Sequence, residues 1–145
     1  FKHPNASDFV KIAQDVSGIQ LDWYKEYWVN TIKTIDYSID SLWEENGVSK
    51  IRLRRIGQMP MPIDLQLTFK DSSKEIHYVP MDLMFGNKPP ETNEARTIHQ
   101  EWNWTNSIYI VEFKHPLSDL VLAEIDPTKR MADIDQKNNT LTLNW

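Results

Sequence analysis

Hydrophobic and polar positions alternate most cleanly between Lys50 and Lys70. Ile63, Leu65, Leu67 and Phe69 fall on one side of an extended backbone, and Asp64, Gln66, Thr68 and Lys70 on the other. A period of two predicts a strand with one buried and one wet face. Ile51 and Leu53, set between Lys50, Arg52 and Arg54, repeat the pattern upstream. Between the two runs stands Gly57-Gln58-Met59-Pro60-Met61-Pro62. Neither proline has an N–H to donate, which excludes a helix and a central ladder there. The segment therefore predicts two long strands joined by a proline-stiffened crossing over a sheet edge, with Met59 and Met61 tucked against the core.

Before Thr34 the period is helical. Ser7 is placed to cap a first helix, Asp8 suits its positive end, and Phe9, Ile12, Ala13 and Val16 form one apolar stripe. Gly18 suits the residue after its end. Asp22 is placed to open a second short helix, with Trp23 and Tyr27 on one side and Tyr24 and Trp28 beside them. Two short helices carrying that much aromatic surface are not stable alone. They must pack on the domain that follows or on a body outside this sequence.

From Thr34 the period is two. Asn46-Gly47 predicts a hairpin turn, Asp71-Ser72-Ser73 another, and Glu75–Val79 a short strand. Lys88-Pro89-Pro90-Glu91 reads as a mobile loop. Thr97–Trp104 and Ile108–Phe113 read as a hairpin around Thr105-Asn106-Ser107, followed by strands at Leu120–Ile125 and Thr140–Trp145. The expected fold is mainly β with an N-terminal helical segment: two short helices over residues 1–33, then an antiparallel, Ig-like β-sandwich of about seven or eight strands over residues 34–145.

Composition narrows the chemistry. The 145 residues carry a formal charge of −5, which disfavours nucleic acid as a partner. No apolar run approaches the ~20 residues of a membrane span. There are no cysteines, hence no disulfide, thiolate metal site or cysteine nucleophile. The four histidines, His3, His77, His99 and His115, show no zincin spacing and read as residues of solvated strand faces. The run Asp126, Asp133, Asp135, Asn138 and Asn139 invites calcium, but an EF-hand loop counted from Asp133 lacks both its glycine and its final glutamate. A turn held by side chain–backbone bonds is the simpler reading. No serine sits in a nucleophile elbow. Lys50, Arg52, Arg54 and Arg55 form a basic strip, with Asp64 on the next strand to neutralise part of it. Trp102 and Trp104, two apart on a strand, would share a face and could stack on a sugar or fill the gap between sheets.

Several of these motifs together resemble the C-terminal region of M1-family (gluzincin) zinc aminopeptidases of bacterial type. His3-Pro4, the helix Asp8–Val16, Ser17-Gly18 and Leu21-Asp22-Trp23-Tyr24 through Trp28 resemble the end of the catalytic domain. Arg54-Arg55-Ile56-Gly57-Gln58-Met59-Pro60-Met61-Pro62-Ile63 is similar to the Arg-x-Gly-x-x-x-x-Pro crossing of the β-sandwich that follows it. Ile125-Asp126-Pro127, Asp133-Ile134-Asp135 and Asn138-Asn139 resemble its closing strands. The Gly-x-Pro that many members place after the tryptophan has no counterpart in Val29–Ile35. The zinc helix His-Glu-x-x-His, the third glutamate ligand and the Gly-x-Met-Glu-Asn loop, upstream in the family, are absent from this sequence. The first residue, Phe1, is read as the start of a piece cut from a longer protein.

The resemblance implies a non-catalytic fragment with no catalytic or metal-ligating residue of its own. Its partner would be the upstream catalytic domain of the same chain. Zinc and a peptide substrate would belong to the parent enzyme, itself periplasmic or secreted. Trp23, Tyr24, Tyr27 and Trp28 would be interdomain packing residues. The competing reading is an extracellular β-sandwich module that binds a glycan or protein through Trp102 and Trp104. A third is a purely structural spacer.

Overall fold

The computed structural model describes residues 3–144. Phe1 and Lys2 of the expected helical segment, and Trp145 of the expected last strand, lie outside the described residues. Two helices lead into eight strands arranged as two sheets. The fold is mainly β, sandwich-like, with an N-terminal helical segment. Among the described residues no helix is long and apolar enough to cross a membrane.

Helix α1 (Ala6–Ser17) is capped by Asn5 rather than Ser7. The Asn5 side chain accepts from Asp8 N–H (3.0 Å) and the Asp8 carboxylate accepts from Asn5 N–H (2.9 Å), a reciprocal capping box. Gly18 ends the helix at φ 68°, its N–H donating to Gln14 O. Asp22 is the first residue of α2 (Asp22–Asn30), and its carboxylate accepts from Gln20 Nε2 (3.0 Å) rather than capping the helix from outside.

The first sheet has the order β1-β2-β6, from β1 (Tyr37–Glu45), β2 (Val48–Arg55) and β6 (Ile108–Phe113). The β1–β2 turn carries positive φ at both Asn46 (53°) and Gly47 (74°), the pair that a twisted two-residue hairpin requires. The second sheet has the order β5-β4-β3-β7-β8, from β3 (Ile63–Phe69), β4 (Lys74–Val79), β5 (Ala95–Ile98), β7 (Leu120–Ile125) and β8 (Thr140–Thr142). Because β5 runs parallel to β4, this sheet is mixed rather than wholly antiparallel. Ile51, Leu53, Val111 and Phe113 of the first sheet meet Leu65, Leu67, Phe69 and Ile125 of the second in one buried core.

Three local expectations change. The segments expected to form a hairpin around Thr105-Asn106-Ser107 part company: β5 joins β4, and β6 joins β2 in the other sheet. Trp102 N–H donates to Pro80 O (2.7 Å) on one side of that turn and Arg55 N–H donates to Ser107 O (2.8 Å) on the other, so the turn spans the two sheets. The basic strip is not neutralised by Asp64, because β2 and β3 lie in different sheets. Arg52 and Arg54 share Asp40 (3.4 and 3.1 Å), and Lys50 pairs with Glu45 (2.9 Å) and Glu112 (3.2 Å). Asp64 instead takes Lys88 (2.7 Å), which also reaches Glu91 (2.9 Å), so ion pairs anchor the loop that was expected to be mobile.

The passage from β2 to β3 carries the chain from one sheet to the other. Ile56 and Gly57 N–H both donate to Asp36 O (2.8 and 2.9 Å), and Met59 N–H donates to Thr34 O (3.1 Å). The buried Tyr37 hydroxyl accepts from Met61 N–H (2.8 Å) and lies 3.3 Å from Met61 O, to which it donates. Burial pushes this phenol up to about 12. The backbones approach so closely that a Cβ on Gly57 would collide with Thr34 O and come within 2.6 Å of Asp36 N. Gly57→Ala is therefore expected to cost about 1–3 kcal/mol, the usual range for overpacking. Urea denaturation checks this, and an unchanged midpoint would show that the crossing has room to spare.

Candidate functional site

The helices meet the sandwich through one side only. Trp23 is buried with Ile19 against Met81 and Met84 of the β4–β5 connection, and its Nε1 donates to Gln20 O (2.7 Å). Tyr27 is half-buried and bridges this cluster to the main core, with Lys33 Nζ 4.9 Å above its ring. Tyr24 and Trp28 face outward, their ring centroids 5.6 Å apart. The four aromatics thus divide: Trp23 and Tyr27 pack against the sandwich, while Tyr24, edge-on to Trp23, and Trp28 lie on the exposed side of the helix.

The α1 stripe turns away as well. Phe9, Ile12 and Val16 are 73%, 63% and 84% exposed, and the buried residue of this helix is Val10, which stands outside the stripe. The period of the stripe is as read from the sequence, but no described residue covers it. Between α1 and α2 lies a groove of about 640 Å³. Phe9, Ile12, Ala13, Leu21, Tyr24 and Val29 line it, so its walls are almost wholly apolar. At its rim Lys25 Nζ donates to Ser7 Oγ (2.6 Å).

The other candidate aromatics do not form a platform. Trp102 is 4% exposed, held between Tyr37 and Tyr109 (centroids 5.5 and 5.4 Å away), with Nε1 donating to Asn106 O (2.8 Å). Trp104 is 43% exposed and lies in the following turn, where its N–H donates to Asp82 (3.0 Å) and its carbonyl accepts from Arg55. One ring fills the gap between the sheets while the other faces solvent.

The acidic run works as turn scaffolding. The Asp126 carboxylate accepts from the N–H groups of Arg130 (3.1 Å) and Met131 (2.8 Å), and that of Asp133 accepts from Tyr37 N–H and Asp135 N–H (both 2.9 Å). Among the described residues no group of three or more histidine or carboxylate side chains is arranged to hold a metal ion.

The histidines depart most from expectation. His77 is 3% exposed rather than solvated. Its Nδ1 lies 2.8 Å from His99 Nε2, and its Nε2 lies 3.4 Å from Glu75, whose other oxygen is 3.0 Å from His115 Nε2. A carboxylate can only accept, so His115 donates its Nε2–H to Glu75, while His77 Nε2 faces the other Glu75 oxygen without making a hydrogen bond, and His77 and His99 share one N–H across their contact. The chain His99–His77–Glu75–His115 closes one side of the sandwich. Glu75 and His77 share a face by strand alternation, a signal present in the sequence. His99 and His115 arrive from separate segments, with no local signal to bring them there.

The geometry has a pH consequence. Burial first, and then the neighbouring His99, hold the His77 imidazole down from its ordinary 6.5 to about 4. The unfolded chain binds this proton below about pH 6.5 and the folded protein does not until about pH 4. Stability from His77 is therefore complete above pH 6.5 and is lost as pH falls through that window. Denaturation series at several pH values should show a loss on the order of 3 kcal/mol, and His77→Gln should reduce the slope, leaving the part due to His99, whose imidazole burial also holds down.

Compared with known proteins, the chain matches no protein-family model, no curated protein and no solved structure.

Proposed function

We propose that this chain is a non-catalytic module, a β-sandwich brace that its helical segment seats on a larger body of the same polypeptide. The observation that supports the reading is the open groove between α1 and α2. Phe9, Ile12 and Val16 form a regular stripe that the sandwich does not use. Burying one such side chain fully is worth about 1.5–3 kcal/mol, so a covering body would gain several times that figure. Tyr24 and Trp28, which face the same solvent, would be the interdomain aromatics of this contact.

By the resemblance of the sequence, the body would be the catalytic domain of an M1-like zinc metallopeptidase. That domain would hold the zinc and take the peptide substrate, and the sandwich would brace it and wall part of its cleft. The reading of the chain as a glycan- or protein-binding module stands second, since it rests on one exposed ring, Trp104.

The coding sequence upstream of Phe1 tests the proposal directly. A His-Glu-x-x-His helix with a third ligand there supports it, and the absence of both overturns the peptidase reading. The contact itself has a separate test. Phe9→Asp with Val16→Asp should change the isolated chain's stability by less than about 1 kcal/mol, since both side chains are already in water. In the longer protein the same pair should loosen the domain contact, read as faster proteolysis near the helices and a lower melting temperature.

A further inference from the structure

Strand β6 is outermost in its sheet and pairs with β2 on one side only. The bond from Arg55 N–H to Ser107 O (2.8 Å) sets the phase of that ladder. Hydrogen-bonded pairs recur at every second residue, so Tyr109, Val111 and Phe113 also turn their N–H and C=O groups toward β2. Ile108, Ile110 and Glu112 turn theirs to the free edge, where no backbone bond to another described residue meets them.

The remaining edges are partly covered or short. Along β1, Tyr37 N–H donates to the Asp133 carboxylate (2.9 Å) and Ile39 N–H donates to Asn138 O (3.1 Å). Strands β5 and β8 have four and three residues. Strand β6 has six, Ile-Tyr-Ile-Val-Glu-Phe, with no proline, no lysine and one charge. The usual blocks to edge pairing are missing from it.

The geometry points to β6 as a self-association edge, at which a second copy of this chain adds its own β6 antiparallel across a two-fold axis at Ile110. In this register Ile110 meets its own counterpart and Ile108 meets Glu112 of the second copy. Outer face stays with outer face, and the edge-facing backbone groups of all three residues find partners. The charges fit the same occupant. Arg54 lies beside Ile108 on β2 and shares the single carboxylate of Asp40 with Arg52. Glu112, 58% exposed at its side chain and 3.2 Å from Lys50 in its own chain, would come in from the second copy next to Ile108 and add Arg54 to its partners, and the symmetry repeats the contact. The half-exposed Ile108 and Ile110 side chains would be covered in the joined sheet.

Sedimentation over a concentration series tests this independently of the helical groove, provided Phe9→Asp and Val16→Asp are present to silence that surface. A monomer–dimer equilibrium is expected. Ile110→Pro removes an N–H that β2 does not use, and the symmetric pair would lose two inter-strand bonds, weakening the dimer about tenfold or more. Glu112→Arg should weaken it about fivefold, and adding Arg54→Glu should restore it. If Ile110→Pro unfolds the chain in a thermal melt, the charge reversal and its rescue decide alone. A monomer at every concentration, or a dimer indifferent to the charge swap, overturns the assignment.

Discussion

The sandwich depends on the way its backbone crosses from one sheet to the other between β2 and β3. Within a few residues the chain must leave one layer, pass two prolines and enter the other. The N–H groups it exposes on the way are taken up by Asp36 O, Thr34 O and the Tyr37 hydroxyl. A buried N–H left without such a partner costs a substantial part of a small domain's net stability. Tyr37 serves the crossing as donor and acceptor at once, while its ring packs edge-on against Trp102. The same short segment, Thr34 to Tyr37, thus holds the crossing and, through Ile35 and Tyr37, helps build the core. Once β2 and β3 are in separate layers, the placement of charge follows. Asp40 serves the arginines of the first sheet and Asp64 is left to Lys88.

Local chemistry was legible wherever one segment decides its own conformation. The alternation in β3, the strand Leu120–Ile125, the Asn46-Gly47 turn and the stop at Gly18 all read directly from their residues, because sterics and side-chain period act over a few positions. Partnership was not legible in the same way. Alternation marks β5 and β6 as strands but is silent on which neighbour each takes, and the shared turn between them suggested the wrong one. The outer face of β3 shows a related limit. Asp64 and Gln66 look like solvent-facing residues by period, yet both are buried. His77 is a third case, a polar residue drawn into the gap by two segments distant in sequence.

Two unfinished surfaces remain, of different physical kinds. The groove between α1 and α2 is apolar and undirected, able to accept any complementary shape. The β6 edge is directional, made of backbone groups at fixed spacing that accept an extended chain in one register. The stripe on α1 was correctly periodic in the sequence, but periodicity gives no sign of which body, within the chain or beyond it, a face is turned toward. Trp23 and Tyr27 answer that question for one side of the helical segment by packing on Met81 and Met84.

The segment that shields β1 comes from far along the chain. Asp133 and Asn138 reach back to Tyr37, Ile39 and Asp36 across nearly the whole length of the sandwich. Contacts so distant in sequence are slow to close and form late in folding. A ribosome making this protein would have produced the β1–β2 hairpin and β6 well before the residues that protect β1 emerged. During that interval the nascent sheet has a second open edge, which Asp133 and Asn138 cover once they emerge.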